Sequence, residues 1–152
     1  MRTLVTREGL DALIEVESAG TGTWHLGEKA DKRARAAAEA RGVVLDRRAQ
    51  QFTRLDFDRF DYVLVMDADI QATIRKLSSS KTDHAKVHVL RAFDPDSPPG
   101  ARVPDPYYGG RDGFDEVFDI CDAACRGLLA HLRATHALPD ADADDRPAET
   151  RG

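Results

Sequence analysis

The sequence predicts an α/β fold, because strand-length apolar runs alternate along it with segments of helical periodicity. Residues 62–66 are a continuous apolar run of strand length that ends at Asp67, which is typical of a buried parallel strand. Asp67 or Asp69 can cap a helix over residues 70–77. Residues 87–90 are the next strand, so strand, helix and strand follow one another.

The N-terminal part continues this alternation. Residues 1–13 have the spacing of the second half of a helix followed by a turn, with no capping residue ahead of it. Apolar and acidic residues alternate over residues 14–18, which predicts a short strand running into a Gly/Thr-rich loop at 19–23. Asp31 is a predicted N-cap, and Gly42 is expected to end the helix that follows.

The remaining elements follow from capping and apolar spacing. Thr53 and Asp56 predict one short helical turn, and residues 78–81 are expected to form a loop. About twenty Pro- and Gly-rich residues after Leu90 predict a long loop, and loops of that length are usually functional. From Gly113 a long packing helix is predicted by apolar residues at helical spacing: Phe114, Val117, Phe118, Cys121, Cys125, Leu128, Leu129 and Leu132.

Length and charge indicate one domain and exclude some partners. The 152 residues suit a single domain, predicted over 1–138. Residues 139–152 hold five acids against two arginines, so they supply −3 of the net −5 and are expected to be a disordered acidic tail. The nearly neutral body is not basic enough to indicate nucleic acid or a membrane surface as the main partner. No apolar run approaches membrane-spanning length, and the N-terminus lacks the uninterrupted apolar core of a secretory signal. We therefore expect a cytoplasmic protein.

Two cysteines, Cys121 and Cys125, lie one helical turn apart. Their side chains share one helix face, which is a poor geometry for a disulfide and fits a reducing compartment. With Arg126 they could suggest a thiolate nucleophile beside a phosphate-binding arginine. A phosphate cradle needs free backbone N–H groups at a helix N-terminus, whereas these residues lie in mid-helix, so we favour packing.

Two other patterns are weak. His84 and His88 have the spacing of a helical metal pair, but residues 87–90 are predicted as a strand and no third ligand lies nearby. Gly20 and Gly22 lack the third glycine and the following helix of a dinucleotide-binding motif. We therefore expect neither a metal nor a cofactor.

The loop at residues 103–110 is the strongest candidate site. Asp105 lies between two prolines that fix φ and remove backbone donors, and Tyr107 and Tyr108 follow before two glycines. An acid held in this way can give a proton to a leaving oxygen, while the rings sandwich a flat substrate and exclude water. The same composition also occurs in surface turns without function.

Three stretches, VPDPYYGG, FDYVLVMDADI and ESAGTGTWHLGEKAD, together resemble the low-molecular-weight protein tyrosine phosphatases. The similarity runs in order from about residue 1 to 133. It implies a three-layer sandwich with a short parallel sheet of strand order 2-1-3-4. It also implies that a phosphotyrosine protein or a small aryl phosphate is the substrate.

The resemblance implies roles for five residues. Asp105 would be the general acid, and Tyr107 and Tyr108 would flank the phosphotyrosine ring. Trp24 falls where the family has an aromatic residue on the opposite wall, and Ser18 where a serine hydrogen-bonds the phosphate loop. Arg41 stands where some members have histidine, and no role is transferred to it.

The sequence departs from the family pattern at its start. The first central strand and the CxxxxxR nucleophile loop are missing, so the chain opens inside the helix that should follow them. Three hypotheses remain: a phosphatase with a truncated N-terminus that is inactive as printed, a non-catalytic binding module with the same slot, and an arsenate-reducing relative. We rank the last lowest, because the only thiols lie in the last helix. The oligomeric state is not predicted.

Overall fold

The structure, a computed structural model, describes residues 1–108 and 110–140, except the side chains of Tyr108 and Arg111. In these ranges the helices are α1 (Arg2–Arg7), α2 (Lys32–Glu39), α3 (Asp56–Arg59), α4 (Ala68–Arg75), α5 (Lys81–Ala85) and α6 (Arg111–His136). The strands are β1 (Val63–Val65) and β2 (Val87–Val89), and 3₁₀ turns span Leu90–Phe93 and Pro106–Tyr108. None of the described helices is both long and apolar enough to cross a bilayer.

The two strands form the predicted parallel sheet. β1 pairs with β2, with Val63 opposite Val87 and Leu64 opposite His88. A parallel pair requires a crossover connection, and here α4 and α5 supply it. The α/β prediction is confirmed.

Alternate residues of the strands enter two separate cores, which makes three layers. On one face Val63, Val65 and Val87 pack with Phe57 of α3 and Ile74 of α4. On the other face, Leu64 and its neighbours Tyr62 and Met66 pack against a second core. That core consists of Leu4, Val5, Leu10, Leu90, Ala124, Cys125, Leu128, Leu129 and Leu132.

The predicted helix ends are confirmed at three positions. The Asp67 carboxylate accepts the N–H of Ile70 at 2.8 Å, so α4 begins just after Asp67. Asp31 caps α2 in the same way by accepting the N–H of Arg33 at 2.8 Å. Gly42 has φ +71°, the left-handed conformation expected where a helix ends.

The strand predicted over residues 14–18 is wrong. These residues form no regular element; the N–H of Ile14 donates to Leu10 in a turn, and the carbonyl of Val16 accepts from Arg2 at 3.1 Å. Ile14 and Val16 still pack against the core around α6, as their alternation requires. The sheet of the described residues contains only β1 and β2, so no ladder reaches this segment.

The loop predicted at residues 78–81 is also partly wrong. Ser80 caps α5 by accepting the N–H of Asp83, so Lys81 is already helical, and His84 lies on the same helix. Helix α5 has only five residues, which are too few for a helical spacing of apolar residues to be recognised in the sequence. Residues 141–152 of the predicted acidic tail lie outside the described residues.

Candidate active site

The candidate loop begins at the carboxyl end of β1. Val103 is buried, and its N–H donates to the carbonyl of Met66 at 2.9 Å, one residue beyond the strand. In open α/β sheets, ligands bind beyond the carboxyl ends of the parallel strands. Asp105 comes two residues after Val103, so the fold places it near the edge of the sheet where such sites form.

The carboxylate of Asp105 is held by the backbone that follows it. Its Oδ1 accepts the N–H of Tyr107 at 2.9 Å, while Pro106 opens the 3₁₀ turn Pro106–Tyr108. Pro104 and Pro106 have no N–H to offer, so Tyr107 provides the first backbone donor after the acid. Asp105 is exposed, and its other oxygen accepts no hydrogen bond from the described residues. It remains accessible to a bound substrate.

Tyr107 lies directly beside this acid and contacts a residue that the sequence did not indicate. The Tyr107 side chain is 60% exposed, and the guanidinium carbon of Arg33 lies 5.5 Å from its ring centroid. Arg33 also donates through Nη1 to the Tyr107 carbonyl at 3.4 Å. The two residues are 74 positions apart, so only the short spacing from the predicted N-cap, Asp31, could have drawn attention to Arg33.

Arg33 forms a two-point ion pair with Asp31. Its Nε lies 3.2 Å from Oδ1 and its Nη2 lies 3.1 Å from Oδ2. The hydrogen bonds from Arg33 hold the pKa of Asp31 below its ordinary value, and in return Asp31 raises the pKa of Arg33. A fixed positive charge therefore lies next to Tyr107.

Ser18 and Trp24 lie on the loop after residue 17. Trp24 is 84% exposed and its ring covers Gly22, where a Cβ atom would come within 2.0 Å of Trp24 Cζ3. Ser18 is exposed, and its carbonyl accepts from Gln50 Nε2 at 2.8 Å. In the described part of the chain, neither residue hydrogen-bonds to Asp105. The Tyr108 side chain lies outside the described residues.

The cysteines behave as packing residues. Cys125 is buried in the core around α6, and Cys121 packs against it. Burial, followed by the neighbouring Cys125, raises the pKa of Cys121 to about 11, so its thiol is protonated at neutral pH and is a poor nucleophile. Arg126 is bound to Asp122 at 2.9 Å. The packing interpretation is confirmed for the two cysteines, whereas Arg126 is exposed.

The histidine pair is divided between two elements. His84 on α5 places Nε2 at 2.8 Å from the Arg75 carbonyl and 2.6 Å from the Ser78 carbonyl, which is a structural role. His88 lies on β2 beside Tyr62. Among the described residues, no group of three or more His, Cys, Asp or Glu side chains could hold a metal ion.

A groove of about 610 Å³ lies elsewhere, between α1 and α6. Its walls include Leu4, Leu129 and the ion pair between Glu8 and Arg133. Asp105, Tyr107, Trp24 and Ser18 do not line it, so its size does not bear on the site at Asp105.

Comparisons with known proteins identify the family of this chain. A family model described as low molecular weight phosphotyrosine protein phosphatase matches residues 1–138. A low molecular weight protein-tyrosine-phosphatase of Streptomyces coelicolor is 47% identical over 133 residues, which are 87% of this chain and 81% of that protein. The human low molecular weight phosphotyrosine protein phosphatase is 33% identical over 129 residues, covering 84% of this chain and 80% of its own.

A solved structure shares the fold. The protein tyrosine phosphatase from Entamoeba histolytica superposes with a TM-score of 0.83 at 30% identity. The superposition covers 89% of this chain and 85% of that chain.

Proposed function

Because the chain belongs to the low molecular weight phosphotyrosine protein phosphatase family, we propose that its site serves the hydrolysis of aryl phosphate monoesters, with Asp105 as the general acid. By family it is a protein tyrosine phosphatase, a phosphoric monoester hydrolase. The substrate would be a phosphotyrosine protein or a small aryl phosphate. Two free thiols support a cytoplasmic location.

One observation carries the proposal: the Asp105 carboxylate is held by the N–H of Tyr107, a residue whose side chain is exposed. In a cysteine phosphatase, a thiolate attacks phosphorus and the P–O bond to the aryl oxygen breaks. Protonated Asp105 would give its proton to the departing phenolate. As a carboxylate it would then take a proton from the water that releases phosphate from the thiol. Tyr107, Tyr108 and Trp24 would contact the substrate ring, and Ser18 would support the phosphate loop.

We infer that neither cysteine of this sequence is the nucleophile. Cys121 and Cys125 lie within α6, where the backbone N–H groups are used by the helix, and the Cys121 thiol is held in its protonated form. We therefore propose that a CxxxxxR loop and a central strand precede Met1 in the complete enzyme, and that the 152-residue chain is inactive alone. The domain would end near residue 138.

A non-catalytic binding module is the alternative, since the acid and the aromatic residues would remain in a shortened relative. An arsenate reductase ranks lower, because it needs a thiol relay near the site and both thiols lie in α6. Reading the DNA upstream of Met1 in frame separates the first two. A CxxxxxR sequence there supports the enzyme, and a stop codon without one supports the module.

An assay with p-nitrophenyl phosphate tests the assignment of the thiols. We expect no turnover above buffer from the 152-residue chain, and turnover once a CxxxxxR loop is present. Cys121→Ser and Cys125→Ser serve as controls. Turnover by the short chain that either serine substitution abolishes would show that α6 supplies the nucleophile.

A further inference from the structure

We propose that Arg33 is a positioning residue for the acid loop: it holds Tyr107 in place and thereby fixes the turn that carries Asp105. This inference rests on the proposed function. It adds a residue of α2 to a site otherwise built from the loop at residues 103–110 and the loop after residue 17.

The backbone of Tyr107 joins Arg33 to the acid. Its N–H donates to Asp105 Oδ1 at 2.9 Å, and its carbonyl accepts from Arg33 Nη1 at 3.4 Å. Both backbone polar groups of Tyr107 are therefore used, one toward the carboxylate and one toward the guanidinium. A displacement of Arg33 would release the peptide that orients Asp105.

The guanidinium also contacts two aromatic rings. Its carbon lies 5.5 Å from the ring centroid of Tyr107 and 4.8 Å from that of Phe114, in the first turn of α6. A planar cation can stack on both rings while its edge donates hydrogen bonds, whereas a lysine ammonium is a point charge on a flexible chain. Arginine is thus specifically suited to this position.

Asp31 keeps Arg33 in this orientation. The carboxylate of Asp31 accepts the backbone N–H of Arg33 and also binds its guanidinium at two points. The Arg33 side chain is consequently tied to the N-terminus of α2. Through it, the start of α2, the start of α6 and the acid loop are joined.

Arg41, in the turn that follows α2, provides a matched comparison. It stacks on Phe118 at 4.8 Å and pairs with Asp119 at 3.2 Å and with Asp115. Its stacking and ion pairs resemble those of Arg33, but no hydrogen bond or ring contact joins it to residues 104–107. Substitution of Arg41 therefore loosens the contact between α2 and α6 without touching the loop.

Fluorine NMR tests the contact in the 152-residue chain without requiring activity. The chain has three tyrosines, so 3-fluorotyrosine gives three resonances, and Tyr107→Phe assigns one of them. In Arg33→Ala we expect the Tyr107 resonance to move toward its position in the urea-unfolded chain, and in Arg33→Lys to move part of the way. In Arg41→Ala it should stay. An unmoved resonance in Arg33→Ala, or an equal shift in Arg41→Ala, would overturn the proposal.

Kinetics in a form that carries the CxxxxxR loop test the consequence for the acid. We expect Arg33→Ala to lower kcat for phenyl phosphate roughly three- to ten-fold, on the scale of one lost cation–π contact and one hydrogen bond. The loss should be smaller for p-nitrophenyl phosphate, whose leaving group needs less help from an acid. A purely structural role would instead lower both rates by the same factor, as we expect for Arg41→Ala. Equal losses for the two substrates in Arg33→Ala would contradict the proposal.

Asp105→Asn separates this outcome from failure of the proposed function. Suppose that Asp105→Asn slows phenyl phosphate hydrolysis more than p-nitrophenyl phosphate hydrolysis and that Arg33→Ala slows both equally. In that case Asp105 is the acid and Arg33 does not position it. If neither variant shows this difference between the two substrates, the role of Asp105 itself is wrong, and the Arg33 proposal falls with it. Circular dichroism establishes that each variant is folded, and Arg33→Lys replaces Arg33→Ala if the latter does not fold.

Discussion

A Cβ atom at position 127 would lie 1.8 Å from the carbonyl oxygen of Phe93, so Gly127 allows α6 to touch the 3₁₀ turn Leu90–Phe93 through its backbone. This turn follows β2 directly and carries the buried Leu90 into the core around α6. A glycine inside a helix normally costs stability. Here the backbone contact with Phe93 explains why a glycine occupies this helical position.

We therefore predict that Gly127→Ala lowers the free energy of unfolding by about 1–3 kcal/mol or more, because backbone atoms would have to separate. For a domain of this size, that corresponds to a fall in Tm of very roughly 3–10 °C. Thermal melts followed by circular dichroism give the value.

Gly113→Ala is the matched control in the same helix. Its Cβ atom would meet Pro106 Cβ at 3.7 Å, an ordinary contact, so the better helix propensity of alanine should leave Tm unchanged or raise it. Equal losses from the two substitutions would mean that α6 tolerates no side chain for reasons other than the contact at Phe93.

Acid should weaken the fold through His88. Burial, with the positive charges of His131 on α6 and Arg75 on α4, lowers the pKa of His88, which also packs against Tyr62 and Phe93. As pH falls, the unfolded chain takes up this proton first. The stability from neutral His88 is complete above its ordinary pKa of about 6.5 and is lost as pH falls through that value toward the lower folded-state pKa.

We predict that His88→Phe, which keeps an aromatic ring beside Tyr62, loses less Tm between pH 7.5 and pH 5.5 than the unmodified chain. His25→Asn is the control, because His25 is exposed and pairs only with Glu28 among the described residues. If His88→Phe and the unmodified chain lose Tm equally, the acid sensitivity comes from other groups.

The sequence was informative about the fold wherever an element is specified locally. The apolar run through β1 and the cap at Asp67 are properties of neighbouring residues, and both were predicted. The strand at residues 14–18 was wrong because alternation reports which side chains are buried, as Ile14 and Val16 are in part. A strand also needs a partner for its backbone, which is a property of the rest of the chain.

The candidate site also has one part that neighbouring residues specify and one part that depends on distant residues. The turn at Asp105 and Tyr107 could be predicted because two prolines and a near-neighbour hydrogen bond define it. Arg33 could not, since its contact with Tyr107 spans 74 positions and depends on how α2 packs against α6. Trp24 and Ser18 came from the family resemblance, and their roles stay predictions.

In a form with the CxxxxxR loop, Asp105→Asn should slow the hydrolysis of phenyl phosphate by roughly 10²–10⁴, the usual contribution of a positioned general acid. Asparagine keeps the shape of the side chain and can still accept the Tyr107 N–H, so the turn should persist. The loss should shrink for esters with acidic leaving groups. An equal loss for all leaving groups would mean that Asp105 positions the substrate and does not protonate it.

The aromatic slot makes a separate prediction about substrate choice. Trp24 and Tyr107 are 84% and 60% exposed, so Trp24→Ala and Tyr107→Ala should leave Tm nearly unchanged. In the form with the CxxxxxR loop, both substitutions, and Tyr108→Ala, should lower kcat/KM for aryl phosphates more than for alkyl phosphates, since stacking acts only on a ring.

Fluorescence offers a check on the Trp24 part of the slot that does not depend on turnover. Trp24 is the only tryptophan of the chain, so the emission belongs to it alone. Phenylphosphonate, a non-hydrolysable ligand with a ring, should change the emission of the form with the CxxxxxR loop, and methylphosphonate should not. Equal responses to the two ligands, together with an unchanged ratio of aryl to alkyl hydrolysis in Trp24→Ala, would remove Trp24 from the slot.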